Sequence, residues 1–164
     1  MTAQNEQQLK KQIRTMIIGF VVLLILSGIT AFPLEWELSI LAEYSKNGPA
    51  FFEEWATRVY GALKDTNEKY PFMAYGTDWL AFAHIVIGVA FIGPVMDPIK
   101  NIWVIQFGMI ACLMVFPLAF ICGPIRGIPF YWQLVDCSFG VFGMIPLYIC
   151  YKKIKMLETI VINK

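Results

Sequence analysis

The chain has a single histidine, His84, and no two cysteines spaced as CxxC. A zinc centre built from Cys and His at set spacings is therefore excluded, and no metal is expected. One histidine supplies one axial ligand, so a bis-histidine haem within one chain is excluded too, and no cofactor is expected. The glycosylation acceptor Asn-x-Ser/Thr is missing, since Asn47-Gly48-Pro49 and Asn67-Glu68-Lys69 both fail it. Charged residues make up only 15% of the chain, and the net charge is +1. No basic stripe interleaves with aromatics, so nucleic acid is not an expected partner. There is no internal repeat to support alternating access.

Apolar residues are abundant instead. They form 58% of the 164 residues, against roughly 45–50% in soluble domains. The mean hydropathy is +0.61. A single small domain cannot hide that much apolar surface, so lipid is the solvent for much of it. Four runs are near the ~20 residues that a spanning helix needs: 16–34, 79–96, 102–121 and 134–151. Pro and Gly punctuate the turns between the last three, at Asp97-Pro98 and at Gly123-Pro124. Trp36, Trp79, Trp103, Tyr131, Trp132 and Tyr151 stand at the ends of these runs, where an interfacial aromatic belt belongs. The expected fold is an all-α, polytopic four-helix bundle of residues 16–151. A polar tail (1–15) precedes it and another (152–164) follows. The first run exceeds the roughly 7–15 apolar residues of a signal peptide and is read as a retained anchor.

Orientation follows from the basic residues flanking short loops. Lys10, Lys11, Arg14, Lys100, Lys152, Lys153, Lys155 and Lys164 fall on one side, expected to be cytoplasmic, with both termini. The bacterial cytoplasmic membrane is the expected location. Residues 35–78 then form the sizeable outer element, with eight acids against four bases. After Asn47-Gly48-Pro49, the four-residue spacing of Phe51, Trp55, Val59 and Leu63 predicts an amphipathic helix. It is read as a cap packed on its own protein, because helices lying on membranes usually carry a basic polar face.

Ionisable groups are costly inside a bilayer, so each one is informative. His84 is expected about 8 Å, and Asp136 about 3 Å, from the start of its span, at roughly 1.5 Å per residue. Thr77, Ala81, His84 and Gly88 share one helical stripe, and Gln133, Asp136, Gly140 and Gly143 share another. Small residues permit close helix approach in membranes, so both stripes are expected to face the interior. A His84–Asp136 contact is the sharpest geometric expectation. Arg126 is its natural third member, and Glu35 and Glu37 could close the ring. One reading makes this cluster a structural clasp that satisfies a buried charge. The other makes it a working site, in which the carboxylate tunes the imidazole or holds a polar head group. Cys122 ends the third run and Cys137 begins the fourth, both on the outer side, so they could bridge the turn if that compartment is oxidising, but buried cysteines acting as small hydrophobes are the preferred reading. Gly108, Cys112, Ala119 and Cys122 form a further packing stripe.

The leading functional expectation is a small membrane protein whose outward polar site binds a lipid or amphipathic small molecule. His84, Asp136, Arg126, Glu35 and Gln133 would serve the head group, and Trp36, Trp79 and Trp132 would frame the entrance. Two alternatives stand beside it. The chain could be an accessory or scaffolding subunit, partnered by another membrane protein or by its own copies. It could also be an intramembrane enzyme using His84 as acid and base on a hydrophobic substrate.

Overall fold

The computed structural model describes residues 3–162, so Lys164 and the first two positions of the tail lie outside the described residues. The architecture is all-α. Among the described residues, four segments are long and apolar enough to cross a membrane: Asn5–Thr30, Pro71–Met96, Ile102–Ile125 and Phe130–Ile162. The chain is thus a multi-pass, four-span membrane protein, the class read from its sequence. It divides into two compact units, Leu23–Gly88 and the remainder up to Val22 and from Val89 onward.

In the unit Leu23–Gly88, helix α1 (Ala3–Thr30) ends at a tight turn. Ala31 N–H donates to the Gly28 carbonyl and Phe32 N–H to that of Ile29. Pro33 follows, and it disfavours helical geometry at the residue before it. The chain restarts at once as α2 (Leu34–Ser45), which packs on α3 (Ala50–Lys69). The sequence reading had one helix here, and α2 is the addition. Its inward positions Leu38, Ala42 and Ser45 recur at spacings of four and three, as one helix face requires. The buried face of α3 centres on Ala56, with Trp55, Val59 and Leu63 half-buried. Phe51 stands at its margin, 58% exposed. A short 3₁₀ turn, Pro71–Ala74, leads into α4 (Tyr75–Ala90). Ala81 and Gly88 of α4 are buried, and Gly28 of α1 meets the helix beside His84. The stripe predicted from spacing is therefore a packing stripe.

The second unit contains α5 (Ile92–Met96), α6 (Ile102–Pro117), a π turn at Leu118–Cys122, the single turn α7 (Gly123–Ile125) and α8 (Phe130–Ile162). The α6–α8 pair is its most extensive contact. Gly140 lies against the Cys112 carbonyl and Gly143 against the Cys112 sulfur, while Gly108 receives Leu147 and Phe91. Phe91 is fully buried and tilts against Phe20 at 5.1 Å. The 33 residues of α8 reach about 50 Å at roughly 1.5 Å each, well beyond a bilayer core of about 30 Å. The helix continues through the tail read from the sequence because Leu147, Cys150, Ile154 and Leu157 extend one buried seam. At the other end of the chain α1 does the same with Leu9, Ile13 and Ile17. Lys153 Nζ donates to Gln12 Oε1 at 2.7 Å and links the two helices.

The turn between the second and third spans is closed by side chains. Asp97 Oδ1 accepts the Lys100 backbone N–H, and Asn101 Nδ2 donates to the carbonyls of Gly93 and Asp97. Arg14 donates from Nε to the Val95 carbonyl at 3.0 Å and from a terminal nitrogen to that of Met96. These are end-of-helix carbonyls, which have no partner within the helix and attract a cation.

Candidate functional site

The residues expected to form one site fall in both units. Glu35, Trp36, Trp79 and His84 belong to Leu23–Gly88, and Arg126, Trp132, Gln133 and Asp136 belong to the other. Neither unit's internal packing therefore contains the His84–Asp136 pair.

His84 is half-buried on α4. Its Nδ1 lies 2.8 Å from the Leu80 carbonyl oxygen. A carbonyl only accepts, so this contact places a proton on Nδ1. The Cβ of His84 also forms the surface on which Gly28 sits. Within this unit the histidine is a packing element with one ring nitrogen satisfied by its own helix.

A cleft of about 490 Å³ opens among the start of α2, the end of α3 and the start of α4. Glu35, Trp36, Ser39, Tyr60, Asn67 and Thr77 supply its polar and aromatic lining. Asn67 Nδ2 donates to Glu35 Oε2 at 2.7 Å, across 32 residues of sequence. That bond fixes which way the amide points and leaves Asn67 Oδ1 buried without a partner. Glu35 forms no ion pair among the described residues. The aromatics Trp79, Tyr75 and Phe82 border a neighbouring cleft with Asp78, and Trp79 meets both rings edge-on.

The second cleft, about 230 Å³, lies where α6 gives way to α8. Pro117 has no N–H to donate, and the helix widens after it into the π turn Leu118–Cys122. Such turns are found frequently at functional sites. Leu118, Ala119 and Cys122 of the widened turn line the cleft together with Arg126 and Asp136. The two charged groups share the cleft without pairing, and neither forms an ion pair with any described residue. Gln133 is buried behind it. Its Nε2 donates to the Ile128 carbonyl at 2.8 Å, and its side chain fills the space that a Cβ on Gly123 would take. Gln133 thus pins the turn that carries Arg126, which is a structural duty. Gly127, the next residue, has φ +68°, a left-handed conformation that suits glycine.

All four cysteines are unbridged, with Cys137 and Cys150 buried, Cys112 half-buried and Cys122 exposed in the Arg126 cleft. The expected stripe of Gly108, Cys112, Ala119 and Cys122 is buried at Gly108 and Ala119, half-buried at Cys112 and exposed at Cys122.

Sequence reasoning did not single out Asn67 or Tyr60, because no local spacing ties them to Glu35. The π turn carried a weak signal in Pro117, a proline inside an apolar span. Comparison with protein-family models, with curated proteins and with solved structures finds no match to this chain.

Proposed function

We propose that this protein binds a membrane lipid, or an amphiphile of similar build, by its head group in the Arg126–Asp136 cleft. The observation that carries this reading is a cationic and an anionic side chain lining one small cleft without neutralising each other. A carboxylate near lipid is costly when it has no partner. An intramolecular ion pair would have been the simplest relief, and the two side chains do not form one. A head group with both a phosphate and a hydrogen-bond donor satisfies both. Arg126 offers a planar fork of N–H groups for phosphate oxygens, and Asp136 accepts from an ammonium or hydroxyl. Size supports the same choice. Pockets that enclose a whole small ligand usually hold about 300–1,000 Å³. At about 230 Å³ this cleft suits a head group whose acyl chains stay in the bilayer. In this reading the Arg126 turn faces the outer side, with both termini in the cytoplasm and the bacterial cytoplasmic membrane as the host. The clustering of basic residues around the termini supports that orientation.

Native mass spectrometry from a mild detergent tests the binding. Retained phospholipid on the wild-type chain, reduced about tenfold in Arg126→Gln, supports the reading. Equal retention by both proteins refutes it.

A further inference from the structure

We infer that the Glu35 cleft is a second binding site, with a different ligand chemistry: an organic ammonium ion carrying an apolar or aromatic body.

The Ser39 hydroxyl donates to the Trp36 carbonyl and the Thr77 hydroxyl to the Ala74 carbonyl, each at 2.7 Å. A hydroxyl whose proton is committed still has lone pairs to offer. Glu35 accepts the Asn67 amide through Oε2 and holds Oε1 in reserve. One of the two Asn67 amide protons is used in that bond, and among the described residues no Lys or Arg lines the cleft. Tyr60 has the one hydroxyl proton still to place. The cleft therefore presents acceptors and one negative charge, and it lacks a cation.

The walls discriminate in the same direction. Trp36 and Tyr60 contribute aromatic rings. Ring faces attract cations and add to the pull of a carboxylate. Phe32, Leu34 and Leu63 make the rest of the wall apolar, which favours a ligand with a hydrophobic body over a hydrated metal ion. The segment 35–78, with its eight acids and four bases, adds a mildly negative field around the opening. A volume of about 490 Å³ lies within the range of pockets that enclose a whole small ligand. Asn67 is a positioning residue here. Its amide fixes the Glu35 carboxylate at the cleft wall, and its own Oδ1 goes unsatisfied in doing so.

The ammonium could arrive on a soluble amine or on the head group of an aminolipid, and one experiment separates these. The full chain is reconstituted in phosphatidylcholine nanodiscs and titrated calorimetrically with 2-phenylethylammonium, empty nanodiscs serving as the blank. Its neutral isostere, 2-phenylethanol, is titrated in parallel. Saturable binding of the cation, at least about tenfold tighter than the alcohol and weakened about tenfold in Glu35→Gln, supports the site. Glutamine keeps an oxygen for Asn67, so the fold is retained. Glu37→Gln, on the same helix turn and outside the cleft, is the control and should bind as the wild type does. Equal binding of cation and alcohol overturns the proposal. So does an equal loss in Glu37→Gln, or a loss in Asp78→Asn with none in Glu35→Gln. Nanodiscs containing phosphatidylethanolamine then assign the source: competition with the probe marks an aminolipid, its absence a soluble amine, and either supports the site. Arg126 is untouched throughout, so failure here leaves the lipid reading of the other cleft standing.

Discussion

A Cβ added at Gly28 would stand 2.5 Å from the Cβ of His84 and 3.1 Å from the carbonyl oxygen of Ala81. Helices α1 and α4 meet there with no room for one methyl group. The atoms it would strike belong to a backbone and to the root of a side chain, neither of which can swing aside. Overpacking of this kind costs about 1–3 kcal/mol. Gly28→Ala should lower the unfolding temperature in detergent by several degrees. His84→Ala should not rescue it, because alanine keeps the offending Cβ. Recovery in the Gly28→Ala/His84→Ala double variant would show that the contact lies further out on the imidazole.

The α6–α8 seam allows a comparison between two glycines one turn apart. At Gly140 an added Cβ would lie 2.6 Å from the Cys112 carbonyl oxygen, and at Gly143 it would lie 3.0 Å from the Cys112 sulfur. Backbone cannot yield as a thiol rotamer can. Gly140→Ala should destabilise by about 3 kcal/mol, near the upper end for overpacking, and Gly143→Ala by about 1 kcal/mol or less. Thermal unfolding of the two variants under one condition checks the order, and equal losses would contradict it.

The turn between the second and third spans should respond to acid. The Lys100 backbone N–H, donated to Asp97 Oδ1, and the nearby Lys100 ammonium hold the Asp97 carboxyl below its ordinary value of 3.8. A carboxylate with a lowered folded pKa contributes stability that is present above its unfolded value and lost as pH falls through the folded one. The wild type should therefore exceed Asp97→Asn in unfolding temperature at pH 6. The gap should close as the pH is taken below about 3.8. A gap that stays constant from pH 6 to pH 3 would show that charge at Asp97 is not the cause.

The parts of this fold legible in the sequence were those set by length and period. Four apolar runs announced four spans, and small residues at spacings of three and four marked the faces that pack. What period cannot give is the identity of the facing helix. The Thr77-Ala81-His84-Gly88 stripe was recognisable as inward, but nothing in it named Gly28 as its neighbour. Helix α2 was missed because its apolar positions follow Pro33 directly and read as the fringe of the first span. The continuation of α8 was missed because Lys152, Lys153 and Lys155 mask the seam formed by Cys150, Ile154 and Leu157. Of the candidate site, Arg126 and Asp136 were found because charge beside an apolar run is conspicuous. The Glu35–Asn67 bond spans 32 residues and had no such marker. Gln133 was noticed for its polarity, and its buried bond to the Ile128 carbonyl gives that polarity a structural purpose.

The lipid reading of the Arg126–Asp136 cleft meets its most direct test in where a bound lipid lies. A phospholipid carrying a diazirine beside its head group is incorporated with the full chain in nanodiscs and photoactivated, and the adducts are mapped by peptide mass spectrometry. Adducts are expected on residues 115–122 and 126–136, with those at Leu118 and Cys122 falling about tenfold in Arg126→Gln. Adducts around the exposed Trp103 should stay constant and serve as the reference. Labelling at Leu118 and Cys122 that matches the level at Trp103 and ignores the Arg126 substitution would contradict a head-group site in this cleft.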